Sequence, residues 1–142
     1  MIESYPKQLT REDYFSCPIW YADQKKFVKD LNKASNFHIK KAKKDLKQTI
    51  DERNKKFGDK GDMGHVFHSK SLIDEPSFKK LQNYIGATSH NLLEEMGFDL
   101  TNHQVFTTEM WVQEFPNNGG GYHSLHTHWN GHISGFYFLK AS

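Results

Sequence analysis

Residues 119–139 of the chain read GGGYHSLHTHWNGHISGFYFL and contain four of its nine histidines. In an extended strand, side chains at positions i and i+2 point to the same side, so the imidazoles of His126 and His128 can converge on one ion. The glycines before them permit positive φ angles, and the aromatic run after them can form a dry wall. The pattern predicts a turn, a strand that carries metal ligands, a second turn and a buried strand.

Neutral imidazole is a suitable ligand for Fe(II), Zn(II), Ni(II) and Cu(II), so the pair indicates a transition-metal site without identifying the metal. The alternative interpretation is a pair of exposed strand histidines. A structural zinc site needs four ligands, and a single cysteine, Cys17, with scattered histidines is a poor source for them. The sequence therefore favours an open, reactive site. His123 and His132 fit it less well, because one has odd spacing and the other follows a turn.

The composition predicts one domain spanning residues 1–142, with a mainly helical region over 1–104 and β-strands with the metal motif over 105–142. The net charge is +2 and the pI about 8.6, which does not point to a nucleic-acid partner. One cysteine, no signal peptide and no long apolar run predict a cytoplasmic protein without a membrane segment.

Apolar spacing predicts helices in the first region. One helical pattern begins at Asp23 and a second covers Ile39 to Ile50, where the many lysines indicate a solvated face in preference to a phosphate or nucleic-acid surface. Residues 51–63 are predicted to form a loop or a loose helix end. Pro76 predicts the start of another helix, capped by Asp74 or Glu75, and Gly97 its end. The apolar stripe of this helix comprises Phe78, Leu81, Ile85, Leu92 and Met96.

Alternating patterns predict strands at Cys17–Tyr21, at residues 64–69 and at residues 105–115. In the last of these, Glu109, Trp111 and Gln113 share one face. His65 and His68 are interpreted as strand-end histidines, with a substrate pocket as the alternative. Consecutive strands after helices indicate an α+β protein with helices on one side of an antiparallel sheet.

Three pieces of sequence together resemble the Fe(II)/2-oxoglutarate-dependent oxygenases. They are Glu109–Pro116 (EMWVQEFP) with the glycine turn, His126-x-His128, and Ser134–Lys140 (SGFYFLK). The resemblance is closest to a group of oxygenases common in marine phages and bacteria. The chain is also broadly similar to the prolyl hydroxylase branch. It covers the C-terminal third of the chain, and the helical part also resembles the N-terminal half of that group.

The resemblance implies N-terminal helices packed on the first strands of an incomplete, jelly-roll-like double-stranded β-helix. It implies a dioxygenase that uses Fe(II), 2-oxoglutarate and O2 to hydroxylate a substrate that the sequence does not reveal. The enzyme would act in the cytoplasm, either of the cell that encodes it or, if a phage encodes it, of the host. The implied metal ligands are His126 and His128. The implied cosubstrate contacts are Gln113, Ser134, Phe136 and Phe138, and the implied substrate pocket comprises Trp111, Phe115 and Tyr122.

The chain departs from the wider family in three ways. His128 stands where most members have Asp or Glu, which leaves the site one negative charge short unless another group supplies a carboxylate. Phe138 stands where related enzymes often have a tyrosine that hydrogen-bonds 2-oxoglutarate. The second histidine and the basic residue for the cosubstrate would lie beyond Ser142. We therefore expect the N-terminal part of a longer, truncated protein, inactive by itself.

Two other interpretations remain open. Gly120, His126-x-His128 and His132 partly follow the first cupin motif, although Leu139 replaces its final glycine. A cupin would have a similar coarse fold without dependence on 2-oxoglutarate. Alternatively, the chain is a structural or interaction module, for instance of a phage particle, whose histidines bind no metal.

Overall fold

The computed structural model of the chain describes residues 18–128 and 131–140. In chain order, its elements are a 3-10 helix Lys25–Phe27, α1 Val28–Phe57, β1 Phe67–His68, a 3-10 helix Pro76–Phe78, α2 Lys79–Glu95 and β2 Gln113–Glu114. β1 and β2 pair antiparallel, with Phe67 opposite Glu114 and His68 opposite Gln113. The predicted α+β class is confirmed, while the sheet seen in these ranges has two strands and is not a double-stranded β-helix.

α1 is a single helix of 30 residues, so the prediction of separate helical stretches was wrong. Its buried residues, spaced three or four apart, form one continuous stripe: Leu31, Ser35, Ile39 and Ala42. No glycine or proline interrupts the helix, and pairs four residues apart, Lys47–Asp51 and Gln48–Glu52, support its exposed side. The helix consequently includes seven residues of the predicted loop and ends at Gly58.

α2 begins and ends where the sequence predicts. Pro76 opens a 3-10 turn that continues into α2, although Glu75 makes no side-chain capping bond. At the other end Gly97 has a φ of 92°, the amide of Phe98 donates to the Leu93 carbonyl, and the amide of Gly97 donates to the Glu94 carbonyl. This pair of bonds is a Schellman motif.

The buried face of α2 differs from the predicted stripe. Phe78 and Leu81 are buried as expected, but Leu93 is buried in place of Leu92, and Met96 is exposed. Gln82 also belongs to the buried face, where its side-chain amide donates to the Leu72 and Ile73 carbonyls. The spacing of apolar residues cannot predict the burial of a polar side chain that hydrogen-bonds the backbone of a loop.

Regular strand pairing is shorter than predicted. Of residues 105–115 only Gln113 and Glu114 belong to the sheet, and neither residues 126–128 nor 133–139 form a strand. Cys17 lies outside the described residues, and Pro18–Tyr21 forms no strand. Pairing requires a partner at the correct distance, and only β1 supplies one to this region within the described part of the chain.

The core consists of two apolar clusters along α1. The first is built on Leu31, Leu72, Phe78 and Leu81. The second is built on Ile39, Ala42 and Phe67. Val112 packs against both, so the segment before β2 joins them. No helix in residues 18–128 or 131–140 has the length and hydropathy needed to cross a membrane.

Candidate metal centre

The segment before β2 is anchored to the core by alternate residues. Met110 and Val112 pack against the apolar clusters. The amide of Leu72 donates to the Met110 carbonyl at 2.8 Å, and the amide of Ser69 donates to the Val112 carbonyl at 3.0 Å. Since alternate side chains of an extended segment point to opposite sides, residues 109, 111 and 113 face away from the core.

These three outward residues all contact the histidine segment, which we define as residues 123–128. The Trp111 ring stacks on His128, with centroids 5.8 Å apart. The other aromatic contact of Trp111 is His68, at 5.1 Å, so the indole lies between the two imidazoles. Gln113 Oε1 lies 3.0 Å from His123 Nε2, and Glu109 Oε2 lies 3.8 Å from His128 Nδ1. The three side chains lie on one side of the segment, as the alternation predicts, although residues 109–112 form no strand; that side faces His123 and His128.

The rings of His126 and His128 lie close together, with centroids 5.0 Å apart and planes 66° apart. A ligating nitrogen lies about 2.1 Å from a transition-metal ion, which places the ring centre about 3.3 Å from it. Two rings that share an ion at 90–109° therefore have centres about 4.7–5.4 Å apart. The observed separation falls in this window, so the spacing of the two rings matches that of two imidazoles on one ion.

One hydrogen bond fixes the tautomer of His126. Its Nδ1 lies 2.7 Å from the Ser124 carbonyl oxygen, which can only accept. Nδ1 must therefore carry a proton in this contact, and in the neutral ring the lone pair is then on Nε2. A backbone carbonyl that holds the second ring nitrogen is the usual support of a metal-binding histidine.

The turn before the histidines is held from two sides. Gly119 and Gly120 have φ angles of 76° and 73°, which confirms the predicted use of glycine there. Asp62 accepts hydrogen bonds from the amides of Asn117 and Asn118, and the amide of Gly64 donates to the Gly119 carbonyl. The turn thus docks onto the loop after α1.

The described side chains do not form a complete metal cage. Within residues 18–128 and 131–140, no three His, Cys, Asp or Glu side chains are placed to hold a metal ion as they stand. His123 is engaged with Gln113, and His132 contacts Phe98 at the end of α2. A metal held by His126 and His128 would therefore need at least one further ligand, from a movement of these side chains or from elsewhere.

The residues predicted to contact 2-oxoglutarate do not converge on the imidazole pair. Phe136 and Phe138 are 87% and 80% exposed and stack on each other, and Ser134 is exposed. Tyr137 and Leu139, between and after them, pack against the first cluster. Gln113 reaches the histidine segment but is bonded to His123. The present arrangement offers no common site for the cosubstrate among these four residues.

The predicted substrate pocket is similarly open. Trp111 lies beside His128, and Phe115 contacts the edge of His123 with ring centroids 6.0 Å apart. Tyr122 is exposed. Two open clefts lie elsewhere: one of about 370 Å³ beside Lys43, Lys47 and Phe67, and one of about 550 Å³ between His90 and His103.

Two residues next to Trp111 and His128 have contacts that the sequence pattern did not predict. His68, predicted to be a strand-end histidine, stacks on Trp111, and its Nδ1 donates to the Ser69 carbonyl. Glu109, predicted only to share a face with Trp111 and Gln113, is the carboxylate next to His128. The alternation of residues 109, 111 and 113 was the available signal, but it became decisive only once the position of His128 was known.

Comparison of the chain with protein-family models, with curated proteins and with solved structures finds no significant match.

Proposed function

We propose that the chain carries part of the catalytic centre of a non-haem iron, 2-oxoglutarate-dependent dioxygenase, with His126 and His128 as iron ligands. The observation that carries the metal part is the 5.0 Å separation of these two rings, with Nε2 of His126 left free by the Ser124 carbonyl. The dependence on 2-oxoglutarate rests on the sequence resemblance. The proposal does not specify the class of substrate that the dioxygenase would oxidise.

Each protein group has a physical role in this proposal. The Ser124 carbonyl keeps the proton on Nδ1 of His126 and so leaves Nε2 ready to bind a metal. Trp111 restricts the ring plane of His128 by stacking, and the anchored backbone of Met110 and Val112 holds Trp111 in place. Iron and 2-oxoglutarate, when bound, would supply the oxidising chemistry that amino-acid side chains lack.

The proposal extends to the fold: the β1–β2 pair would belong to a jelly-roll-like double-stranded β-helix. Two features support it. Hydrogen bonds from Ser69 and Leu72 to Val112 and Met110 continue the contact between these segments beyond the sheet. Residues 136–139 also keep the alternation of a half-buried strand, with Tyr137 and Leu139 inward and Phe136 and Phe138 outward.

Anaerobic Fe(II) titration of the full 142-residue chain, followed by addition of 2-oxoglutarate, tests the proposal. We expect one Fe(II) per chain, loss of binding in His126→Ala, and a new visible absorption band when 2-oxoglutarate, added in large excess, chelates the iron through its keto-acid oxygens. His90→Ala is the matched control, because His90 lies on α2 beside Glu94 and outside the centre. It should bind iron like the unmodified chain.

The other outcomes separate the competing functions. Iron binding that responds to His126→Ala but never to 2-oxoglutarate would favour a cupin-type metal protein. A chain that binds no iron would contradict the metal centre itself and favour a structural or interaction module.

A further inference from the structure

We propose that Glu109 is the carboxylate ligand of the metal held by His126 and His128, an inference that rests on the proposed function. His128 provides a neutral imidazole, so two histidines alone leave the charge of a divalent cation uncompensated. A carboxylate next to the pair would correct this deficit. Glu109 is the acidic side chain that the structure brings to His128, with Oε2 at 3.8 Å from Nδ1.

The position of Glu109 follows from the anchored backbone. Met110 beside it packs on the first cluster and accepts a hydrogen bond from the amide of Leu72. This fixes the outward direction of residue 109, in the same row as Trp111 and Gln113, whose contacts are with His128 and His123. Glu109 is thus the third member of a row whose other two members contact the histidine segment.

The distance requires only a small adjustment. Two ligand atoms that each lie about 2.1 Å from one ion are about 3.0–3.4 Å apart at angles of 90–109°. With Nδ1 as the nitrogen through which His128 binds the ion, the observed 3.8 Å exceeds this range by about 0.4–0.8 Å. The carboxylate is 65% exposed, so it can move toward the ring that Trp111 holds by stacking.

The neighbouring acid on the segment is already occupied. Glu114 forms a salt bridge with Lys43 of α1. Because side chains alternate along an extended segment, Glu114 points to the side opposite Gln113. Glu109, in contrast, has the imidazole of His128 as its nearby ionisable group among the described residues. The chemistry of a 2-histidine, 1-carboxylate set, with open positions for other ligands, matches Fe(II) and also accepts Co(II).

Titration of the full chain with Co(II), read by visible absorption and calorimetry, tests the inference. Glu109→Gln keeps the size of the side chain and removes its charge, and we expect affinity to fall by about 100-fold or more, at or above the loss seen for residues that merely support a ligand. The spectrum at saturation should change, because a ligand has been lost. Glu109→Asp should retain part of the affinity.

Glu94→Gln is the matched control. Glu94 is also partly exposed and lies 3.5 Å from a histidine, His90, but on α2. We expect the Glu94→Gln variant to bind Co(II) with an affinity within about twofold of that of the unmodified chain. This change is far smaller than the one expected when a ligand is lost. Without metal, the variants should unfold at the same temperature as the unmodified chain. Any difference between them should appear only in how far Co(II) raises that temperature.

The outcomes distinguish this inference from the proposed function. If Glu109→Gln binds Co(II) like the unmodified chain while His126→Ala does not bind, Glu109 is not a ligand and the metal centre stands. If Glu109→Gln weakens binding without changing the spectrum, Glu109 acts through His128, which also contradicts the inference. If the unmodified chain binds neither Co(II) nor Fe(II), both proposals fail.

Discussion

His126 depends on a single backbone carbonyl for its proposed role. The Ser124 oxygen accepts from Nδ1, which leaves Nε2 as the nitrogen with a lone pair. The carbonyl can act in this way only if the backbone of residues 121–125 keeps its course after the glycine turn. Residues that set that course therefore influence the centre without touching its ligands.

Gly121 is such a residue. A Cβ at this position would clash with Cδ of Pro116 and lie 3.0 Å from Cδ1 of Phe115. Pro116 is buried and its ring is rigid, so the backbone would have to shift. We expect Gly121→Ala to lower the free energy of unfolding by about 1–3 kcal/mol, as for other overpacked sites. Chemical denaturation of the metal-free chain would measure this.

Gly135→Ala is the control for Gly121→Ala. A Cβ at Gly135 meets nothing within 4 Å, and its φ is not positive. Its effect should stay within about 0.5 kcal/mol, as for other surface positions. Equal stabilities for the two variants would show that the turn does not pack tightly against Pro116.

At the scale of elements, the extended segment of residues 131–140 is attached to the helices by specific contacts. The Tyr137 hydroxyl donates to the Gln24 carbonyl at 2.6 Å, and the Asn32 amide donates to the Leu139 carbonyl at 3.2 Å. The Tyr137 ring also packs against Phe27, with centroids 6.4 Å apart. The start of α1 thereby holds a segment that forms no strand of its own.

Tyr137→Phe tests this attachment. At neutral pH we expect a loss of about 1 kcal/mol in the free energy of unfolding, from the missing hydrogen bond. Burial, with a contribution from the Asp23 charge, raises the pKa of Tyr137. Stability from this group is therefore complete below the unfolded pKa of about 10 and is lost as pH rises through the folded pKa. The advantage of the unmodified chain over Tyr137→Phe should shrink above pH 10.

Denaturation at several pH values, with Tyr21→Phe as control, would measure this difference. Tyr21 is 97% exposed, so its replacement should leave stability unchanged at neutral pH and leave the pH dependence unaltered. A pH-independent difference between the unmodified chain and Tyr137→Phe would contradict the proposed environment of the hydroxyl.

Local patterns predicted the features that depend on neighbours in sequence. The glycine turn, the 3-10 turn at Pro76 that leads into α2, the end of α2 before Gly97 and the common face of Glu109, Trp111 and Gln113 all follow from short-range rules. The extension of α1 through residues 51–57 was missed because these residues are mostly polar. They are supported by the Lys47–Asp51 ion pair and by Arg53, which donates to the Gly61 and Met63 carbonyls.

The features that depend on distant partners could not be predicted. Alternation in residues 105–112 and 133–139 predicted strands, but pairing is decided by a neighbouring segment far along the chain. The position of His68 on Trp111 depends in the same way on the β1–β2 register, which brings His68 opposite Gln113. For the same reason the contact between Glu109 and His128 could not be ranked above other acid–histidine pairs.

At the scale of the whole molecule, the candidate centre is connected to both apolar clusters through one segment. Val112 packs against the first cluster and the second, while Trp111 beside it stacks on His128. α1 supplies buried residues to both clusters, Leu31 to one and Ile39 to the other. Two clusters that share a helix and a side chain should unfold together.

Val112→Ala tests this cooperativity. Removing two methyl groups from the junction should lower the free energy of unfolding by about 1–2 kcal/mol, since the side chain is half-buried. Far-UV circular dichroism, which reports on the helices, and tryptophan fluorescence, which reports in part on Trp111, should shift by the same amount in one transition. Val105→Ala, at a half-buried residue that lines the open cleft near His103, should shift neither by more than about 0.5 kcal/mol. If the two probes separate in Val112→Ala, the clusters are independent units, and the histidine centre would belong to only one of them.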